Sequence, residues 1–139
     1  MILYLDTSAL VKAYIAEEYS HVVMSHLKSA DIVATHRIAF VEAHAAFARL
    51  NREKKLTDLE LKATKQAFVT DWENYLQMEN TQALMDHAVE LAEAFALRAY
   101  DSVHLAAAAM LSKQSNQMVM FACFDQHLNK AAKVLGLQL

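Results

Sequence analysis

Two short runs in this chain are apolar throughout, and each ends in an aspartate. Ile2-Leu3-Tyr4-Leu5 runs into Asp6, and Val119-Met120-Phe121-Ala122-Cys123-Phe124 runs into Asp125. A strand that is apolar on both faces has to be covered on both faces. That is the situation of a parallel sheet held between helix layers. The segments between the two runs carry helical spacing, so strands alternate with helices along the chain.

The reading in detail is a strand over residues 2–5, then helices over 9–16 and 20–29 and a strand over 31–34. A long helix capped by Thr35 follows, running to about residue 52. Its apolar positions cover most of the circumference, which predicts a helix buried all round. A helix starts at Thr57, a short strand is expected over 75–79, and helices over 81–97 and 101–111. The last strand falls within 118–124 and the last helix over 126–135, with Gly136 suited to the C′ position of its cap. Residues 137–139 can add an edge strand. The expected fold is α/β: one domain spanning residues 1–139, with a mostly parallel central sheet flanked by helices on both faces.

One glycine and no proline in 139 residues favour long helices and short loops. No run approaches the roughly 20 apolar residues of a membrane span. The N-terminal apolar run is too short for a signal peptide and ends in Asp6. With Cys123 as the single cysteine, a disulfide framework and a thiolate zinc site are both excluded. The expectation is a cytoplasmic protein. A net charge of −3 gives no argument for a nucleic-acid partner, but a cluster of carboxylates that binds divalent metal reverses its local sign.

Four acids stand where the surrounding chain argues against charge. Asp6 and Asp125 follow the two apolar strands, Glu42 interrupts Phe40-Val41-Glu42-Ala43, and Asp101 opens an alanine-rich run. Capping a helix explains an aspartate at a helix start. It does not explain two that follow the two best strands, where ligands of an open parallel sheet bind. Glu42 is read as lying well inside its helix, capping nothing, with no cation one turn away. A buried unpaired carboxylate costs several kcal/mol, so it is paired, protonated or bound to metal. The structural alternative is a pair with Arg37, Arg49 or Arg98. Together the acids form an all-oxygen ligand set, which suits Mg²⁺ or Mn²⁺. Such an ion polarises a phosphoryl oxygen and lowers the pKa of a bound water.

Thr7 and Ser8 can support Asp6, a water or a phosphate, or can satisfy backbone amides at the helix start. The seven histidines show no zinc-type spacing, and His44 and His104 are read as packed or surface residues. Lys12, Arg37 and Arg98 are placed to hold a phosphate backbone beside the acids.

Leu5-Asp6-Thr7-Ser8-Ala9-Leu10-Val11-Lys12 resembles the opening motif of PIN-domain ribonucleases, particularly the VapC toxins of bacterial toxin–antitoxin pairs. Phe40-Val41-Glu42-Ala43 resembles their second motif. The run from Leu97-Arg98-Ala99-Tyr100-Asp101 to Ala108 is similar to the third, and Phe124-Asp125 with Leu128, Ala131-Ala132 and Leu135-Gly136-Leu137 to the fourth. The four stand in order over nearly the whole chain.

The resemblance implies a parallel sheet with the first strand central. It implies that Asp6, Glu42, Asp101 and Asp125 bind one or two Mg²⁺ or Mn²⁺ ions, with Ser8 or Thr7 in support. It also implies hydrolysis of RNA phosphodiester bonds by a metal-activated water, a homodimer, and a small cognate antitoxin protein that covers the site. The thin set of basic residues favours a structured RNA target or a transient contact. Two other readings stand beside this one. A phosphatase of the haloacid dehalogenase type also begins with strand then Asp, but wants a second Asp where this chain has Ser8. The other is a non-catalytic binding module on the same fold.

Overall fold

A computed structural model describes residues 1–137. Among the described residues the chain forms four strands and seven helices. In chain order these are β1 (Ile2–Leu5), α1 (Thr7–Lys12), α2 (Ser20–Ser29), β2 (Ile32–His36), α3 (Ala39–Arg52), α4 (Asp58–Trp72), β3 (Leu76–Met78), α5 (Gln82–Phe95), α6 (Ala99–Ser115), β4 (Val119–Ala122) and α7 (Gln126–Val134). The strands form one sheet in the order β3-β2-β1-β4, and every pairing is parallel. The expected α/β class and the interior position of β1 are therefore observed.

The period-2 geometry of β1 explains the two helix layers. Ile2 and Tyr4 face a core built with Leu84 and Leu91 of α5, Leu105 of α6 and Leu128 of α7. Leu3 and Leu5 face the other way, into a core with Leu10, Val23, Phe47 and Phe68 of α1 to α4. All four β1 residues are buried, and the run contains no charged side chain. Ala106, Ala107 and Ala108 let α6 lie close against the sheet, where larger side chains would hold it off.

Several element ends follow the local chemistry. Thr57 and Glu60 form a reciprocal capping box at the start of α4, and Thr81 caps α5. Gly136 adopts φ +77, while Gly136 N–H and Leu137 N–H bond back to Lys133 O and Ala132 O, closing α7 as a Schellman motif. With so little glycine in the chain, left-handed backbone falls to Tyr19, Lys54, Ala96 and Asn116.

Three expectations are corrected. Thr35 is not a helix cap: it belongs to β2, is fully buried, and its hydroxyl donates to Leu5 O at 2.8 Å. The helix after it starts at Ala39 instead, without a side-chain cap. Nor is α3 buried all round, since Ala39, Ala43 and Phe47 face the core while Val41 is 64% exposed. Glu42 accordingly lies in the first turn of α3 and not deep inside it. Of the edge strand expected over 137–139, Leu137 is not in a strand, and residues 138 and 139 lie outside the described residues.

Candidate active site

The sheet order reverses between β1 and β4, because the chain leaves β1 toward β2 and β3 and later returns to its other side. Crevices outside the carboxyl ends of strands at such a switch point are natural ligand sites. A cleft of ≈ 380 Å³ opens there, lined by Asp6, Glu42, Asp101 and Asp125, with Thr7 and Ser8 beside them. Four acids far apart in sequence, each at the start of a different helix, thus share one cavity.

Each acid is held differently. Asp6 follows β1 directly, and its N–H bonds to Ala122 O of β4 at 3.2 Å, tying the two strand ends together. Its Oδ1 caps α1 by accepting from Ala9 N–H at 2.8 Å and also takes the Ser8 hydroxyl at 2.8 Å. These bonds use one oxygen. Asp6 is buried, and burial raises its carboxyl above the usual range, opposed by His104 and by these hydrogen bonds. Asp125 caps α7 by accepting from Leu128 N–H at 2.9 Å. Asp101 was expected to open its helix, but α6 begins at Ala99 with Arg98 at the cap position, and Asp101 lies in the first turn.

Glu42 is gripped by a polar chain that the sequence reading missed. Its Oε1 accepts from the Thr7 hydroxyl at 2.6 Å and from His104 Nε2 at 3.1 Å. His104 Nε2 also stands 3.1 Å from Thr7 Oγ1, and His104 Nδ1 is 2.8 Å from the Tyr4 hydroxyl. Burial, with Asp6 and Glu42 nearby, pushes the Tyr4 hydroxyl well above its usual pKa, so it stays protonated. Nε2–H donates to the Glu42 carboxylate, which can only accept, and the Tyr4 hydroxyl is the partner of Nδ1. Burial alone would raise the Glu42 carboxyl, but the His104 and Thr7 hydrogen bonds outweigh it and hold the carboxyl below its usual range. His104 is packed, as expected, but what it packs against is the candidate ligand. The arginine partner considered for Glu42 is replaced by this histidine. The available signal was its position one turn after Asp101, on the same face of α6.

The outer acids share a cation. Arg98 Nε donates to Asp101 Oδ2 at 3.0 Å, and Arg98 Nη2 lies 3.7 Å from Asp125 Oδ2. Of the three cations expected beside the acids, Arg98 alone lines the cleft. Lys12 instead pairs with Glu17 at 3.0 Å and sits over the Phe124 ring. Arg37 bonds Gln77 and Glu79. Cys123 does not line this cleft, and burial, with Asp6 nearby, pushes its thiol up to about 12.

Among the described residues, no three His, Cys, Asp or Glu side chains stand together closely enough to hold a metal ion as they are. In this arrangement Asp101 and Asp125 are paired with Arg98, while Thr7 and His104 hold Glu42. The donor set nevertheless fits a hard divalent cation. It is all oxygen, it lines one cleft, and the buried Asp6 uses only Oδ1 in its hydrogen bonds. No helix is long and apolar enough to cross a membrane among the described residues.

Comparison with known proteins agrees with this fold. A family model of the PIN domain matches residues 3–134. The chain is similar to Ribonuclease VapC45 of Mycobacterium tuberculosis strain CDC 1551 / Oshkosh, 31% identical over 135 residues, covering 97% of this chain and 92% of the relative. Ribonuclease VapC49 of strain ATCC 25618 / H37Rv matches with the same identity and coverage.

Proposed function

The chain belongs to the PIN-domain family, and from that premise we propose that it is a divalent-metal-dependent endoribonuclease, the toxin of a toxin–antitoxin pair. The observation that carries this reading is the meeting of four carboxylates from four elements in one cleft at the switch point of the sheet. Asp6, Glu42, Asp101 and Asp125 are the residues that would hold Mg²⁺ or Mn²⁺. Such an ion supplies Lewis acidity at a phosphoryl oxygen and a water acidic enough to ionise near neutral pH.

The protein's own part is to orient and to bind. Thr7 and His104 fix Glu42 through Oε1, which leaves Oε2 for the cleft. Ser8 and the Ala9 amide do the same for Asp6 through Oδ1. Partners of this kind set the direction of a ligand and its basicity. Arg98, at the mouth, is suited to a phosphate of the RNA backbone. The working form is a homodimer inside the cell, and a small cognate antitoxin protein covers the cleft.

The test is cleavage of labelled RNA by the purified chain. Wild type cuts with Mg²⁺ or Mn²⁺ and stops with chelator, while Asp101→Asn keeps its circular dichroism spectrum and loses cleavage. Equal cutting by the two, with contaminating nuclease excluded, overturns the reading. For the toxin role, expression arrests growth, and co-expression of the small partner restores it.

A further inference from the structure

A second and larger cavity, of ≈ 630 Å³, adjoins the acidic cleft. It lies between the start of α3, the β3–α5 connection and the start of α6. The two cavities share one residue: Tyr100 lines both and is 58% exposed. The walls of the second combine apolar Val41 and Val103 with the polar side chains of Arg37 and Asn80. His36 also lines it, and His36 Nε2 is the one buried side-chain N or O atom among the described residues that has no hydrogen-bond partner.

The state of that atom is fixed by its own ring. His36 Nδ1 accepts from Ile38 N–H at 3.0 Å, so in the neutral imidazole the proton sits on Nε2. Desolvation, with His104 nearby, takes the ring down to about 4, so it is neutral at pH 7. One unmatched N–H donor, itself buried, therefore stands on a residue that borders the cavity. Leaving such a donor unpaired is costly, and an acceptor that reaches it removes the cost.

We propose that this cavity is a nucleobase subsite, taking the base next to the phosphodiester held at the acidic cleft. The proposal rests on the ribonuclease reading above. Three features carry it. A nucleotide joins a phosphate to a flat heteroaromatic ring, and here an acidic cleft joins a mostly apolar cavity across one shared tyrosine. Tyr100 offers an exposed ring for stacking, which every base can use. The unmatched His36 N–H beside the cavity is a donor for a base acceptor, which every base offers as a carbonyl oxygen or a ring nitrogen.

The test uses the full chain with Mg²⁺ and four nucleoside monophosphates, with ribose 5-phosphate as the baseless control. None contains a phosphodiester, so binding is read without cleavage, by NMR shifts and calorimetry. All four nucleotides are expected to bind about fivefold or more tightly than ribose 5-phosphate, the low end of what stacking on an aromatic ring contributes. Tyr100→Ala and Val41→Trp, both at exposed positions, reduce GMP binding to the level of the control. His36→Phe weakens binding of the nucleotides and leaves that of ribose 5-phosphate unchanged. Should that buried variant misfold, the two exposed variants and the comparison with the baseless control still decide. Equal binding of GMP and ribose 5-phosphate overturns the proposal, as does indifference to Tyr100→Ala and Val41→Trp. It is also overturned if these variants change only the molar mass by light scattering, which assigns the cavity to a second copy. Failure of wild type to cut RNA overturns the ribonuclease reading instead, and leaves the mononucleotide comparison to judge the cavity.

Discussion

The inner wall and the outer lip of the acidic cleft hold their carboxylates in opposite ways. On the inner wall, Asp6 and Glu42 are fixed by donors held in the fold: Ser8 and the Ala9 amide for one, Thr7 and the buried His104 for the other. At the lip, Asp101 and Asp125 share a single arginine that is 80% exposed, with Asp125 also capping α7. Donors held in the fold fix the direction of a carboxylate. An exposed cation compensates charge, but solvent screens it and its flexible side chain moves easily. The inner pair is thus preorganised, and the lip is adjustable. A site of this form needs a cation to complete it, and rearranges mainly at its mouth when one arrives.

Substituting Asp6 breaks the comparison hardest. Asp6→Asn is expected to reduce metal-dependent RNA cleavage to background, measured with labelled RNA. In metal-free protein at neutral pH the same change raises the melting temperature, by about 2–4 °C for each kcal/mol of relieved repulsion and desolvation. Asparagine still accepts from the Ala9 amide, so the helix cap survives. The sign follows from the raised carboxyl. The folded state holds the Asp6 proton more tightly than the unfolded chain does. Its contribution to stability is therefore fully present below the unfolded pKa and is lost as pH rises through the higher folded value. Wild type and Asp6→Asn converge in melting temperature at acidic pH. Glu42, held below its usual range, has the opposite sign: its contribution is present at neutral pH and lost as pH falls through the folded value. An Asp6→Asn protein that melts lower than wild type at pH 7 without metal would contradict this account of the inner wall.

The next effect in size belongs to His104. His104→Leu strands the Tyr4 hydroxyl and frees Glu42 to turn, and is expected to cost about 10- to 100-fold in metal affinity or cleavage. His104→Gln, which keeps a donor, recovers part of it. Mn²⁺ calorimetry beside the cleavage assay separates this from a stability defect. Sharpening the outer half, Arg98→Ala leaves the melting temperature nearly unchanged, because its ion pairs are solvent-exposed. It tightens Mn²⁺ binding severalfold by removing a competing cation, which the same calorimetry reads. An Arg98→Ala protein with weaker Mn²⁺ binding would show that the lip is as preorganised as the inner wall. The smallest effect lies away from both halves. Ala96 closes α5 at φ +54, and Ala96→Gly is expected to add about 1 kcal/mol of stability in chemical denaturation, with cleavage unchanged.

β1 and β4 were legible because burial on both faces leaves a short apolar run bounded by polar residues. The helix starts at Thr57, Thr81 and Gln126 were legible because their caps act locally, over three residues. The start of α3 was not. Thr35 has the right chemistry for a cap, but the Leu5 carbonyl, 30 positions earlier, uses its hydroxyl instead. Apolar composition also overstated the burial of α3, since exposure of Val41 depends on what packs against that face, and there a cavity lies.

By itself the sequence determined the alternation of strand and helix, and hence a covered parallel sheet. It also determined the four acids, since a carboxylate stands out against apolar neighbours however the chain is folded. Only the tertiary structure decided how those acids are held. The donors that orient Glu42 come from residues 35 and 62 positions away, and a hydrogen bond depends on distance in space, to which sequence separation gives no guide. The same limit hid the second cavity. Its wall is assembled from four elements, and its unmatched N–H is defined by the partners that the fold does not bring.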